Sequence, residues 1–211
     1  MKDNGLLVQY FNANTPADQT LWAKAAKDAV TLKKLGATAV WFPPATKGAA
    51  GKEDMGYAPY DLYDLGEFDQ KGSVGTRYGT KKEYLEAIDA MKAQGINVYA
   101  DIAVRQKLGA DSVEKVTAAD FNAKDIPQMI GNKKIVGALS KFTFPGRKSK
   151  YSKFKWNWNH FAGIDWQQDD FKRRVCELSG MTEMEAEKKY KLSKYDYIIG
   201  SELDLYNQEV Y

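Results

Sequence analysis

The first hundred residues alternate between short apolar runs and amphipathic stretches. Leu6-Leu7-Val8-Gln9-Tyr10-Phe11 is a compact apolar segment followed by Asn12, Asn14 and Pro16, the pattern of a strand that ends in a loop. From Thr20 to Leu35, Trp22, Ala25, Ala29, Leu32 and Leu35 recur at three- and four-residue spacing, and Gly36 stands where a C-terminal cap belongs. That spacing predicts a helix with one buried face. Ala37-Thr38-Ala39-Val40-Trp41-Phe42 follows as a second strand, stopped by Pro43-Pro44. Thr80-Lys81-Lys82-Glu83 has the spacing of a capping box, and Tyr84, Leu85, Ile88 and Met91 mark the inner face of a second helix that stops at Gly95. Ile96 to Val104 then reads as a third strand.

The resulting order is β-α-β-α-β. Strands apolar on both faces that alternate with helices belong in a parallel sheet, with function carried at the strand C-termini. Dinucleotide-binding and barrel folds both satisfy this pattern. A dinucleotide site needs glycines in the turn after the first strand, where Asn12-Ala13-Asn14-Thr15 stands instead. Gly72-Ser73-Val74-Gly75 is not placed between a strand and a helix and has no Lys-Ser/Thr after it, so nucleotide binding is set aside. From about Arg105 to about Tyr195 the periodicity fades into a polar, aromatic region that reads as an inserted small domain. Within it, Phe171, Val175, Leu178, Met181 and Met184 suggest a helix between Asp169 and Leu192, and Tyr195 to Ile199 a last strand.

Charge and composition narrow the chemistry. Lys and Arg number 31 against 28 Asp and Glu, a net charge of +3 that is too even for a nucleic-acid partner. One cysteine, Cys176, excludes an internal disulfide, and one histidine, His160, leaves too few ligands for zinc, so any metal is held by oxygen. No stretch is long and apolar enough for a membrane span, and the first residues lack a signal-peptide core. As written the chain starts in the cytoplasm, or is secreted if a leader was removed.

Several stretches carry a more specific signal. They are Gln9-Tyr10-Phe11, Val40-Trp41-Phe42-Pro43-Pro44-Ala45, the run from Gly56 to Phe68, Tyr78-Gly79-Thr80-Lys81, Asn97-Val98-Tyr99-Ala100-Asp101, Phe144-Pro145-Gly146-Arg147, and the run from Phe154 to Phe161. Together they resemble the liquefying bacterial type of the α-amylase family of glycoside hydrolases, in order from Gly5 to Val210. The resemblance implies an α/β fold: the first three βα units of a (β/α)8 barrel in residues 1–104, the inserted domain in 105–200, and the start of a return to the barrel in 201–211. It also implies an α-glucan as ligand, and that the family's nucleophilic Asp, general-acid Glu and stabilising Asp fall outside this sequence. Retaining glycosidases need two carboxyl groups about 5–5.5 Å apart, and no substitute pair is evident. The expectation is therefore an amylase-like portion, inactive alone; the alternatives are the N-terminal portion of a split hydrolase completed by another segment, and a non-catalytic carbohydrate-binding or interaction protein.

By the same resemblance Tyr57 is the platform for the sugar beside the scissile bond, since a phenol offers an apolar face with a polar edge. Gln9, Tyr10, Asp101 and Gln106 are expected to converge with it, although Tyr10 suits a core position equally well. Where the family motif after the third strand reads Asp-x-x-x-Asn-His, this chain has Asp101-Ile102-Ala103-Val104-Arg105-Gln106. A cation thus replaces a calcium-ligating Asn. Of the family's calcium carboxylates only Asp196, Glu202 and Asp204 remain, while Ala162 and Tyr206 stand at two of the others. Calcium wants 6–8 oxygens, so the resemblance implies at most a weak site. The basic, aromatic run from Arg147 to His160 reads as a small-domain surface with its own aromatic core, and His160 as a packing or hydrogen-bonding residue. Three strands cannot close a barrel, so an exposed sheet edge is expected to be covered by self-association, a partner chain or a rearranged flank.

Overall fold

The computed structural model describes residues 5–121, 129–169, 175–178, 200–205 and 207–210. It divides into two compact units, Met1–Val104 with Pro145–Ser152, and Arg105–Phe144 with Lys153–Tyr211.

The first unit opens with β1 (Leu7–Gln9), α1 (Leu21–Lys34) and β2 (Ala39–Phe42). A long connection carries the short antiparallel pair β3 (Lys47–Gly48) and β4 (Pro59–Asp61), and then come α2 (Lys81–Ala93) and β5 (Asn97–Ala100). Strands β1, β2 and β5 form one parallel sheet in that spatial order, with Val8 opposite Val40 and Val40 opposite Val98. The capping box forms as the spacing predicts: Glu83 Oε2 accepts from the Thr80 N–H at 2.8 Å, and Thr80 Oγ1 from the Glu83 N–H at 3.4 Å. Thr20, at the corresponding place before α1, makes no side-chain cap.

Trp22 is the centre of the core. Its ring lies 5.2 Å from Phe42, 5.5 Å from Tyr78 and 4.8 Å from Tyr84. Around it pack Ala25, Ala29, Val40, Ala87, Met91 and Ile96, all buried, the alanines leaving room for close helix approach.

Two expectations need correction here. The third strand stops at Ala100 rather than Val104, because its partner β2 ends at Pro43-Pro44, whose nitrogens carry no hydrogen, after a last bond from the Asp101 N–H to the Phe42 carbonyl at 3.0 Å. Of the three sheet strands only β2 is largely buried, with Trp41 half-buried. Among the described residues β1 and β5 each have one neighbour, and Leu7 and Tyr99 are more than half exposed.

The second unit is antiparallel. Its six strands are β6 (Gln106–Lys107), β7 (Ser112–Phe121), β8 (Met129–Lys141), β9 (Phe161–Ile164), β10 (Val175–Glu177) and β11 (Ser201–Leu203), in the spatial order β6-β11-β9-β10-β7-β8. The helix expected from Asp169 onward is replaced at Val175–Glu177 by β10, which pairs with both β7 and β9; two flanking strands outweigh a helical spacing of apolar residues. The remainder of that helix and the strand expected at 195–199 lie outside the described residues. Residues Ser201–Leu203, the expected start of a return to the barrel, pair with β6 and β9 in this sheet. Its core is aromatic, with Phe142, Phe144 and Phe161 buried. Lys107 is buried too, its ammonium 5.2–5.6 Å from the ring centroids of Phe142, Phe144 and Trp156, where the π faces offset part of its lost hydration. No described helix is long and apolar enough to cross a membrane.

Candidate functional site

The segment from Pro43 to Thr80 has little regular structure, and buried charges hold it. The Lys47 ammonium donates to the carbonyls of Ser73 (2.5 Å), Val74 (2.7 Å) and Phe68 (3.1 Å), and lies 3.5 Å from Asp64. Burial pushes its pKa down, and the Asp64 carboxylate opposes that shift. Asp64 Oδ1 in turn accepts from the Glu67, Gly66 and Phe68 amides at 2.8, 2.9 and 3.3 Å. Gln70 Nε2 donates 3.0 Å bonds to both Asp64 and Asp61. Asp61 accepts from Arg147 Nε at 2.7 Å, both side chains being almost completely buried. Arg147 also donates to the Lys150 and Ser152 carbonyls, at 2.6 and 2.8 Å. The segment Pro145–Ser152 is thereby tied into the first unit. At its rim Glu67 meets Lys81, Lys150 and Tyr151, whose hydrogen bonds, Lys150's foremost, pull its carboxyl down to about 2.

This framework presents Tyr57. The residue is 42% exposed while its hydroxyl donates to Asp101 Oδ2 at 2.6 Å. Burial of the hydroxyl, then the Asp101 carboxylate, raise its pKa, so at neutral pH it is a protonated phenol on a partly exposed side chain. Tyr57 and Asp101 are brought together. Gln9 falls in one cross-strand row with Trp41 and Tyr99, its amide donating to the Phe11 carbonyl at 2.9 Å. Tyr10, one residue on, faces the helices: its ring packs 6.0 Å from Phe42 and its hydroxyl donates to Asp28 of α1 at 2.6 Å. It therefore serves the core between sheet and helix. Gln106 belongs to the second unit, in β6 opposite Glu202.

The calcium set does not assemble among the described residues. Glu202 Oε1 accepts from Arg105 Nε at 2.7 Å, so the cation that replaces the motif's Asn is paired with an expected ligand. Asp204 is buried and its N–H donates to the His160 carbonyl at 2.9 Å. Asp196 lies outside the described residues, and among those described no three His, Cys, Asp or Glu side chains stand close enough to hold a metal ion. His160 is itself a packing residue: Nδ1 accepts from the Asn157 N–H at 2.9 Å, Nε2 lies 3.0 Å from Glu209, and Phe154 and Trp156 flank the ring. In the basic run, Arg147, Lys150 and Lys155 are engaged by Asp61, Glu67 and the Thr143 carbonyl. A pocket of about 130 Å³ in the second unit, lined by Leu108, Leu139, Ile164, Asp165 and Trp166 among others, contains none of the expected site residues.

Sequence reasoning missed Asp28, Trp41 and Tyr99 as neighbours of these side chains, and Asp54, whose carboxylate accepts from the Gly56 and Ala58 amides that flank Tyr57. Period-two alternation from Gln9 would have found Trp41 and Tyr99 once the register was known. Nothing local marks Asp28 or Asp54.

No protein-family model matches the sequence. Curated relatives do. The chain is 46% identical over 208 residues, 98% of its length, to the α-amylase of Geobacillus stearothermophilus, covering 38% of that protein. It is 42% identical to the α-amylase of Bacillus licheniformis over 98% of the chain and 40% of the relative. The cytoplasmic α-amylase of Escherichia coli K12 is 37% identical over 98% of the chain and 42% of its own length. Among solved structures, a truncated alternansucrase from Leuconostoc mesenteroides shares the fold over 70% of this chain and 14% of its own, with a TM-score of 0.53 and 23% identity. The chain spans about two fifths of the length of the curated relatives it matches, and over nearly all of its own length it is similar to their α-amylase sequences.

Proposed function

We propose that this stretch of chain builds one wall of an α-glucan cleft in an α-amylase-type hydrolase, as the first three βα units of a (β/α)8 barrel with a small domain inserted after the third strand. The observation that carries the reading is Tyr57, an exposed ring whose hydroxyl is fixed by Asp101, presented by a connection that buried charges make rigid. A pyranose stacks its C–H face on such a ring, and the carboxylate that holds the phenol leaves its polar edge oriented. Gln9 is the further contact on this wall.

Cleavage needs a carboxyl pair across the sugar, and the positions that carry it in the family have no counterpart in residues 1–211. These residues alone should bind maltooligosaccharides weakly, on the order of millimolar, and should not cleave them. Titrating maltoheptaose while following amide shifts by NMR tests the binding. Perturbations around Tyr57 that vanish in Tyr57→Ala support it, and none at millimolar sugar refutes it. Release of reducing ends from starch by stringently purified protein would refute the second half. The exposed rims of β1 and β5 favour a companion reading, in which further strands from another segment or a second copy cover the sheet.

A further inference from the structure

We propose that Asp54 is a positioning residue for Tyr57, an inference that rests on Tyr57 being the sugar platform. One carboxylate oxygen, Asp54 Oδ1, accepts from the Gly56 N–H at 2.7 Å and the Ala58 N–H at 3.4 Å, the amides on either side of Tyr57. Its second oxygen accepts from the Ala50 N–H at 3.3 Å, which ties the turn back to the chain before it. The intervening Met55 carbonyl is held by the hydroxyl of Tyr78, a fully buried residue, at 3.0 Å.

The surroundings leave this turn little freedom. Gly56 has φ +91°, and a Cβ there would come within 2.6 Å of Pro44. A Cβ on Gly48 would fall 2.2–2.6 Å from the Asp54 carboxyl group, so a glycine is needed for the carboxylate to reach its place. The Tyr57 backbone is thus fixed by Asp54 and its hydroxyl by Asp101, two constraints at opposite ends of one side chain. Asp101 acts on the hydroxyl and does not fix the backbone from which the ring projects. With the backbone held as well, the ring presents one face in one orientation, which lowers the ordering cost of a stacked ligand.

The two Asp54 oxygens have different tasks, and that makes the idea testable. The 211-residue chain is prepared with ring-¹³C tyrosine, and the Tyr57 signal is identified by its loss in Tyr57→Phe. Asp54→Ala removes both acceptor oxygens and their three hydrogen bonds, and is expected to move the Tyr57 signal and to weaken maltoheptaose binding about fivefold or more. Asp54→Asn keeps one oxygen for Gly56 and Ala58 but turns an amide donor toward Ala50. It should lose stability while keeping the Tyr57 signal and holding binding within about twofold of the parent. If both variants lower the melting temperature and leave the Tyr57 signal in place, Asp54 is only a structural residue and the proposal is overturned. If the signal moves in Asp54→Ala alone while maltoheptaose perturbs nothing in the parent protein, the positioning role stands and the glucan reading falls. Should Asp54→Ala fail to fold, Asp54→Ser replaces it, its hydroxyl being too short to serve both amides; an unmoved Tyr57 signal there overturns the proposal equally.

Discussion

The parallel sheet and the connection that follows its central strand make an instructive pair. The sheet is regular, yet two of its three strands are exposed along most of their length. The connection from Pro43 to Thr80 is irregular, yet Lys47, Asp61, Asp64 and Gln70 in it are buried. Rigidity here does not follow regular structure. It follows the satisfaction of buried polar groups, because each unpaired one carries a desolvation penalty that a strand at the rim never meets. The candidate sugar platform belongs to the irregular region.

Breaking the network is the strongest test of that comparison. Asp61→Ala leaves the Arg147 guanidinium buried without its carboxylate and takes one of the two acceptors from Gln70, so a loss of about 3–5 kcal/mol is expected in urea denaturation. Gly56→Ala comes next. It places a side chain at positive φ and against Pro44, for a loss of about 1–3 kcal/mol, and it should displace Tyr57 as well. Leu7→Ser on the sheet rim removes an apolar side chain from a strand yet should change stability by no more than about 0.5 kcal/mol at low protein concentration. Sedimentation should show any self-association weakened by the same change. If Leu7→Ser costs as much as Asp61→Ala, the comparison is wrong.

The same contrast explains what the sequence disclosed. The Trp22, Ala25, Ala29 series and the Thr80/Glu83 spacing are local, so α1, α2 and the strand β2 that follows α1 could be read directly, whereas the short pair β3 and β4 could not. Tyr57 and Asp101 were legible only through resemblance, 44 residues apart, since no spacing rule links a loop phenol to the end of a strand. The ends of β5 depended on where its partner met two prolines. Arg147 and Asp61 are 86 residues apart, and nothing in Phe144-Pro145-Gly146-Arg147 indicates that residues 145–152 cluster with the first unit. The antiparallel sheet of the second unit is built from pairings as distant as Ser201 with Ile164 and with Lys107, and its β10 carried a helical spacing that tertiary pairing overrode.

The smallest expected effect sharpens the comparison at the edge of the network, where charges are no longer buried. Glu67 is bonded by Lys150, Lys81 and Tyr151, and its carboxyl falls from the ordinary 4.5 to about 2. A carboxyl depressed on folding stabilises the native state above its unfolded pKa, and that contribution is lost as pH drops from about 4.5 toward 2. The Glu67 side chain is 24% exposed and its lysine partners 28% and 53%. Solvent and side-chain entropy therefore reduce the benefit to about 1 kcal/mol or less, well below that of the buried pair. Glu67→Gln should cost that much at pH 7 and progressively less as the pH falls below about 4.5, the two stabilities converging only below about pH 2. About 1 M salt should shrink the gap at pH 7, because these charges face water. For Asp61→Ala the same salt should make little difference. Equal salt sensitivity at the two positions would mean that the network is wetter than its geometry indicates, and that the connection owes its order to packing instead.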